Sequence, residues 1–385
     1  MLTQTWAMLV DAYRELCAKR LFWISLILSG VVVAAFAMVG INEQGFEILW
    51  FDLPMSTFNT KVLPRATFYE WIFSAFGIGL WLTWAAAILA LVTTAGFFPN
   101  LIEAGSIEVH LSKPISRTRI FLTRYFTGLL FVTLQVAVFS VASFFVLGLR
   151  GGVWQPTVLL AIPIVVLFFS YLYSVCVLLG VWTRSTIAAL LLTILFWFVV
   201  FIMNTADAAF ISVRESAEAK VARTERSLAR LESGARDLLI EQKRAAGEDV
   251  PESWEPADEE LIKSMPLIET RRAELAEDRK SVETWTKVTR SIFIAKTVLP
   301  KTGETIELLN RYLFDQTERD TLLRVFTGQA TAEDIDEDAQ RELEANRGVQ
   351  EAYNSRSLGW IIGTSLAFEA VMMALAGFIF VRRDY

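Results

Sequence analysis

The sequence is poor in the residues that most metal and nucleophilic chemistry requires. It has one histidine, His110, and two cysteines, Cys17 and Cys176. A single histidine excludes most imidazole metal sites and most catalytic triads. Cys17 precedes the first apolar run and Cys176 lies inside the fourth, so we expect neither a disulfide between them nor a metal site.

Sequence motifs for enzymatic chemistry are missing as well. The chain has no G-x-x-x-x-G-K-[ST] phosphate-binding loop and no H-E-x-x-H, C-x-x-C or G-x-S-x-G motif. It is therefore not expected to bind and hydrolyse ATP itself. We predict no enzymatic activity, no catalytic residue, no metal site and no cofactor in this chain.

Long apolar runs are what the chain has in abundance. Its 385 residues are 54% hydrophobic, and the mean hydropathy is +0.43. Apolar runs of about 18 or more residues are long enough to cross a bilayer as helices. We predict an all-α polytopic membrane protein with six transmembrane helices, at residues 21–39, 71–92, 122–146, 158–181, 186–204 and 358–381.

The predicted spans divide the chain into four segments. Residues 1–20 are predicted to form an interfacial amphipathic helix, because apolar residues such as Trp6 and Tyr13 recur at helical spacing. Residues 21–206 hold spans one to five and a cytoplasmic loop at 99–121. Residues 207–357 form a polar insert, and residues 358–385 form the sixth span and a cytoplasmic tail. We expect the apolar segment 41–70 to be a loop packed over the outer mouth of the bundle.

Orientation follows from the lysines and arginines of the short loops. One side of the predicted membrane carries ten of them and the other side three, with the insert left out of the count. This asymmetry places both termini in the cytoplasm of a multi-pass inner-membrane protein and the insert outside. The ten are Arg14, Lys19, Arg20, Lys113, Arg117, Arg119, Arg124, Arg184, Arg382 and Arg383; the three are Lys61, Arg65 and Arg150.

The insert begins with apolar residues at heptad spacing. Val221, Leu228 and Ala235 alternate with a second row at Thr224, Leu231 and Leu238. A later stretch repeats the spacing at Ile268, Leu275 and Val282. Two such stretches joined by a polar turn indicate an extracytoplasmic helical domain with an antiparallel coiled coil. The alternative is a lone, solvated, charged helix.

The loop between spans two and three has the most distinctive residue order. It carries Glu103, the Gly105–Ser106 pair, Glu108, Pro114 and Arg117. A short helix that is broken at Gly105 and stopped near Pro114 is the expected shape. Composition alone favours an ordinary basic loop at anionic headgroups, and it is the order of residues that favours a more specific role.

This order of residues, and the basic end Arg382-Arg383, resemble the cytoplasmic loop and C-terminus of ABC type-2 transporter permeases. The resemblance covers the spans and the loop, and it does not cover the insert. It implies that Glu103, Gly105, Ser106, Glu108, Pro114 and Arg117 dock on a separate ATP-binding subunit, which holds ATP and Mg. It also implies a second permease subunit, in a homodimer or heterodimer. Family members often have a basic residue just before the acid, whereas Phe97-Phe98-Pro99-Asn100 stand here.

One acid lies deep within a predicted span. Glu369 is near the middle of the sixth, where an acid costs about 2.5–3.5 kcal/mol on an insertion scale. It should therefore face protein or a cavity, and Gln135 and Asn204 are candidate neighbours along a transport pathway. The other interpretation is a protonated acid that only joins helices.

These observations predict the permease subunit of an exporter that couples ATP hydrolysis by its partner to transport across the cytoplasmic membrane. A membrane-anchored coiled-coil scaffold or tether without transport activity is the alternative function. Membrane lipid is an expected partner, an extracytoplasmic protein could contact the coiled coil, and no nucleic acid is expected. The sequence does not select a substrate.

Overall fold

The computed structural model describes Arg14 and residues 20–49, 51–54, 59–102, 116–248, 250–251, 254–326, 348, 351 and 354–382. Within these residues, six helices are long and apolar enough to cross a membrane. This confirms the prediction of a largely helical chain with six helices that are long and apolar enough to span a membrane. The six are α1 (Arg20–Met38), α2 (Arg65–Ile102), α3 (Arg117–Gly151), α4 (Pro156–Thr183), α5 (Thr186–Ala245) and α10 (Leu358–Arg382).

The central helix of the bundle is α4. In the most apolar 18-residue stretch of α4, 72% of the residues are buried, whereas the corresponding share in the other five helices is 17–44%. It packs against α3 on one side and α10 on another. Its buried aromatic residues, Phe168, Phe169, Tyr171 and Tyr173, therefore meet several helices at once, and polar atoms on α4 face protein rather than lipid.

The second span is not a regular α-helix throughout. Its middle, Phe73–Ala86, has π-helical geometry with wider turns. The Thr83 hydroxyl donates to the carbonyl of Ile78, five residues earlier, at 2.8 Å. Wide turns of this kind occur where a helix accommodates a local packing demand. Here they include Gly77, where an added Cβ would lie 3.2 Å from the ring of Phe139 on α3.

The segment after α1 is a small antiparallel sheet, which the all-α prediction does not contain. Strands β1 (Val39–Ile41), β2 (Gly45–Ile48) and β3 (Phe51–Pro54) pair in sequence order. Strands of three or four residues are too short for their alternation to stand out from a generally apolar loop. The prediction of a purely helical fold therefore needs this correction, although the rest of the described chain is largely helical.

The described residues fall into two compact units. The first holds α1 to α4, the sheet, α5 as far as Asn204, α10, and two short helices, α8 (Thr302–Leu313) and α9 (Gln316–Phe326). The second holds α5 from Thr205, α6 (Asp258–Ser264) and most of α7 (Leu267–Thr297). This division differs from the predicted segments, which assign α8 and α9 to the insert.

The second unit has a narrow apolar seam. Leu228 and Ala235 of α5 cluster with Leu261 of α6 and with Ile268 and Leu275 of α7. Charged pairs flank the seam: Lys220 lies 2.7 Å from Asp278, Arg279 lies 2.7 Å from Glu225, and Arg272 lies 2.7 Å from Glu232.

One residue of the predicted apolar row lies elsewhere. Leu238 is 46% exposed, and its neighbour Leu239 packs on the cluster instead. The sequence spacing of seven from Leu231 placed Leu238 in the row, but the actual contacts with α6 and α7 favour position 239. Leu238 therefore serves as an internal control for the seam.

The helix α8 packs into the first unit rather than standing apart. Its buried apolar residues, Leu308, Leu309 and Leu313, lie against the bundle. The α8 residue Thr302 accepts a hydrogen bond from Asn204 of α5 at 3.0 Å. A polar helix that was predicted to belong to the insert thus packs within the first unit.

Candidate transport and coupling sites

A hydrogen-bonded carboxyl group joins three spans in the bundle. Glu369 of α10 is half-buried, and its Oε1 accepts from the Tyr125 hydroxyl of α3 at 2.6 Å. Its Oε2 lies 2.7 Å from the hydroxyl of Ser170 on α4. Both partners are neutral hydroxyl groups. The acid is therefore held within the protein by groups that do not fix its charge.

The geometry around Ser170 accommodates both protonation states of Glu369. The Ser170 hydroxyl also lies 2.8 Å from the carbonyl oxygen of Leu167, and a hydroxyl has one proton to donate. If Glu369 is ionised, Ser170 donates to it. If Glu369 is protonated at Oε2, the carboxyl donates to Ser170, which then donates to Leu167. A proton can be gained or lost without moving a heavy atom.

Close packing between α3 and α4 supports this arrangement. The ring of Tyr125 stacks on the ring of Tyr173 with centroids 5.2 Å apart. Gly128 lies under Tyr173, and an added Cβ there would come within 2.5 Å of that ring. Only glycine at this position lets the tyrosine ring approach α3 closely. The stack fixes the position from which Tyr125 reaches Glu369.

The other two predicted pathway residues lie in different surroundings. Gln135 of α3 is buried and faces a cavity of about 10 Å³. Neither polar atom of its side-chain amide has a hydrogen-bond partner among the described residues. A cavity of this size holds about one water molecule. Asn204 donates to Thr302 of α8. Glu369, Gln135 and Asn204 thus make three separate sets of contacts.

The predicted ATPase-docking loop falls mostly outside the described residues. Glu103, Gly105, Ser106, Glu108 and Pro114 all belong to this undescribed part. The remaining docking residue, Arg117, is the first residue of α3. Its guanidinium donates to the backbone carbonyl of Val381, near the end of α10, at 3.2 Å. The exit of the loop is therefore joined directly to the last span.

Aromatic rings connect both ends of the loop to the same span. Phe98 precedes the loop, Phe121 follows it, and Phe380 lies near the end of α10. The Phe98 and Phe121 centroids are 5.1 Å apart, and those of Phe121 and Phe380 are 5.6 Å apart. All three side chains are at most 2% exposed. We call Phe98, Phe121 and Phe380 the aromatic clamp.

Comparison with protein-family models, curated proteins and solved structures finds no match to this chain.

A second buried polar cluster involves α8, and the sequence did not suggest it. Glu304 lies 2.5 Å from the Lys296 ammonium and 2.5 Å from the Arg356 guanidinium. The Lys301 ammonium donates to the carbonyls of Thr297 and Leu299 at 2.6 and 2.8 Å. It also lies 4.9 Å from the ring centre of Trp360. We call Lys296, Lys301, Glu304 and Arg356 the α8 charge cluster.

Once the contact between Arg117 and Val381 is known from the structure, position along the helices indicates Tyr125 as a partner of Glu369. Arg117 and Val381 mark a common level, and a helix rises about 1.5 Å per residue. On that rise, Tyr125 lies about 12 Å from this level and Glu369 about 18 Å, within reach of a long tyrosine side chain. The α8 charge cluster had no such signal, because its members come from residues on both sides of a helix boundary.

The described residues show no group of three or more histidine, cysteine, aspartate or glutamate side chains that could hold a metal ion. The contacts of Glu369 are hydrogen bonds, and the α8 charge cluster includes two ion pairs.

Proposed function

We propose that this protein is the permease subunit of an ABC-type exporter, with ATP hydrolysed in a separate subunit. The observation that carries the proposal is the position of α10. Near its end it is bonded to Arg117 and packed in the aromatic clamp. Further along, it holds Glu369 against Tyr125 and Ser170.

This arrangement supports mechanical coupling between the loop and the bundle. A partner that moves the loop would act on Phe98 at its entrance and on Arg117 at its exit. Both lie against the end of α10. Since packed helices move as rigid elements, displacement there reaches Glu369. The residues Glu103, Gly105, Ser106, Glu108 and Pro114 would form the contact with the ATPase.

In this proposal the functional unit contains two permease subunits and two ATPase subunits. Both termini lie in the cytoplasm, and the second unit lies outside the inner membrane. ATP and Mg are held by the partner subunit. The seam of the second unit, with its flanking ion pairs, supports an antiparallel coiled coil that contacts an extracytoplasmic protein.

Docking is tested by charge reversal in the loop. Glu103→Arg should leave the protein in the membrane and lower the yield of the co-purified ATPase, because it reverses one charge of the contact. Gly105→Pro should do the same, because proline restricts the backbone of the predicted docking segment and removes an N–H donor. The measurement is the ATPase-to-permease ratio after affinity purification.

Glu103→Gln is the matched control, since it keeps the side-chain shape and is expected to weaken docking less than Glu103→Arg. An undiminished ratio in both Glu103→Arg and Gly105→Pro would remove the docking role. If no ATPase accompanies the unaltered protein, the scaffold function is favoured. That alternative is supported by the separate compact unit of paired helices.

The seam of the second unit is tested by a pair of matched variants. Leu228→Ser removes a buried side chain worth about 1.5–3 kcal/mol, whereas Leu238→Ser changes an exposed one. Limited proteolysis should cleave the second unit faster in the Leu228 variant only. Equal digestion of both variants would mean that the seam does not stabilise this unit.

A further inference from the structure

The sheet that follows α1 has one continuous apolar face. Paired residues of antiparallel strands point to the same side, and neighbours along a strand point to opposite sides. The register pairs Val39 with Ile48 and Ile48 with Phe51. The same face carries Ile41, Phe46 and Leu53, whereas the opposite face carries Gly40, Glu47 and Asp52.

Only half of this apolar face is covered by the protein. Ile41 is buried, and the ring of Phe46 lies 5.5 Å from the ring of Phe68 on α2. The side chains near the edge strand β3 are not covered by the protein. Ile48 is 42% exposed, Leu53 is 49% exposed and Phe51 is 75% exposed. The exposed part is continuous with a buried apolar surface of the bundle. We call Ile48, Leu49, Phe51 and Leu53 the hairpin tip.

The turn at the tip has unfavourable residues for a water-exposed hairpin. Two residues, Leu49 and Trp50, separate β2 from β3. Two-residue turns favour asparagine, aspartate and glycine, which tolerate positive φ. Leu49 has φ 59°, a conformation that is uncommon for a bulky residue and carries strain. A strained apolar residue at this turn indicates that the Leu49 side chain does not face water.

The backbone fixes where the tip lies. The amide of Leu49 donates to the carbonyl of Met38, the last residue of α1, at 2.9 Å. Met38 is itself 44% exposed, and many other apolar side chains of α1 are exposed as well. The tip is therefore held at the end of a transmembrane helix, beside the surface that faces lipid.

We propose that the hairpin tip inserts its apolar face into the membrane interface at which α1 ends. The occupant of the exposed face is then lipid, at the boundary between headgroups and acyl chains. Aromatic and aliphatic side chains at this depth are stabilised by burial in the interface. Asp52, whose carboxylate accepts from Asn42 at 2.5 Å, lies on the opposite face and remains hydrated. This inference rests on the six spans and is independent of the exporter function.

Phe51 and Leu53 point to one face of the sheet and Asp52 points to the other, and this alternation along β3 provides the test. Single cysteines are placed at Phe51, Asp52 and Leu53, in a full-length protein carrying Cys17→Ser and Cys176→Ala, and each is labelled with a nitroxide. The protein is reconstituted in phosphatidylcholine vesicles, and accessibility to oxygen and to a water-soluble nickel complex is measured. Leu195, an exposed residue of α5, gives the lipid reference, and Gln44 gives the aqueous reference.

We expect the oxygen-to-nickel ratio at positions 51 and 53 to be severalfold higher than at position 52, and close to that at 195. Ratios at 51 and 53 close to that at 44 would show that the tip lies in water and would overturn the proposal. Poor access of both reagents to 51 and 53 would show a protein contact, such as a second copy of the chain. That result would also overturn it.

Discussion

Two glutamates in the same bundle, Glu304 and Glu369, have opposite kinds of partners. Glu304 lies between two cations, Lys296 and Arg356. Glu369 lies between two neutral hydroxyl groups, Tyr125 and Ser170. Two cations favour one charge state of an acid strongly, whereas two hydroxyls serve either state. The first arrangement suits a structural bond, and the second suits a group that exchanges a proton.

The difference also concerns what each glutamate joins. Glu304 connects α8 to residues at the ends of α7 and α10, so it stabilises the position of a short helix within the bundle. Glu369 connects three apolar helices, α3, α4 and α10, through two hydrogen bonds. Substitutions that separate charge from hydrogen bonding should therefore affect the two sites differently.

The largest expected effect is on stability, at the α8 charge cluster. Glu304→Gln removes the carboxylate that faces both Lys296 and Arg356 in a buried setting. Removal of one partner from a buried ion pair costs about 3–5 kcal/mol. We expect a clearly lower midpoint of thermal unfolding for the purified protein in detergent.

Glu283→Gln is the control for that experiment, because Glu283 pairs with Lys287 on an exposed helix surface. Such exposed pairs contribute little, and this variant should unfold like the unaltered protein. Equal midpoints for Glu304→Gln and the unaltered protein would contradict the structural role of Glu304 and weaken the comparison.

The second prediction concerns Glu369, where stability should change little and activity should change. In Glu369→Gln the amide can accept from Tyr125 and donate to Ser170, which reproduces the protonated form. The free energy of unfolding should therefore shift by no more than about 0.5–1.5 kcal/mol, the worth of one hydrogen bond. Because the ionisable carboxyl group is lost, ATPase activity of the reconstituted complex should fall if Glu369 takes part in transport.

Glu369→Leu separates the two roles of the side chain, because it also removes the hydrogen bonds. It should lower stability more than Glu369→Gln. If the Gln variant keeps the ATPase activity of the unaltered complex, Glu369 only joins helices, and the two glutamates would then differ in partners without differing in function.

The smallest expected effect is a pH dependence of stability at Lys301. Burial lowers the pKa of this ammonium group to about 8, although the nearby Glu304 carboxylate acts in the opposite direction. Between about pH 8 and 10.5 the unfolded chain then binds more protons than the folded protein, so the stability contributed by this residue increases with pH.

Lys301→Met is the matched variant for that prediction. As the pH rises from 8 to 10, the unfolding midpoint of the unaltered protein should rise relative to that of the Lys301→Met variant. A difference that is constant over this range would show that Lys301 has an ordinary pKa.

The spans could be predicted because transfer from water to lipid depends on local composition. A run such as 186–204 is apolar whatever its neighbours are, and the structure confirms a helix there. The depth of Glu369 was also predictable, since it follows from counting along α10. The identity of its partners was not, because Tyr125 and Ser170 lie on other helices, 244 and 199 residues away in sequence respectively.

The sequence by itself determined the helical spans, the polar insert and the lack of familiar catalytic motifs, all of which depend on residue type and spacing along the chain. Only the tertiary structure decided that Val39–Pro54 pairs into a sheet, that Leu239 rather than Leu238 packs on the seam, and that α8 joins the bundle. The physical reason is that strand pairing, seam register and burial of a charged helix are settled by contacts between distant segments. Such contacts compete with local preference and override it wherever they bury more surface or complete more hydrogen bonds.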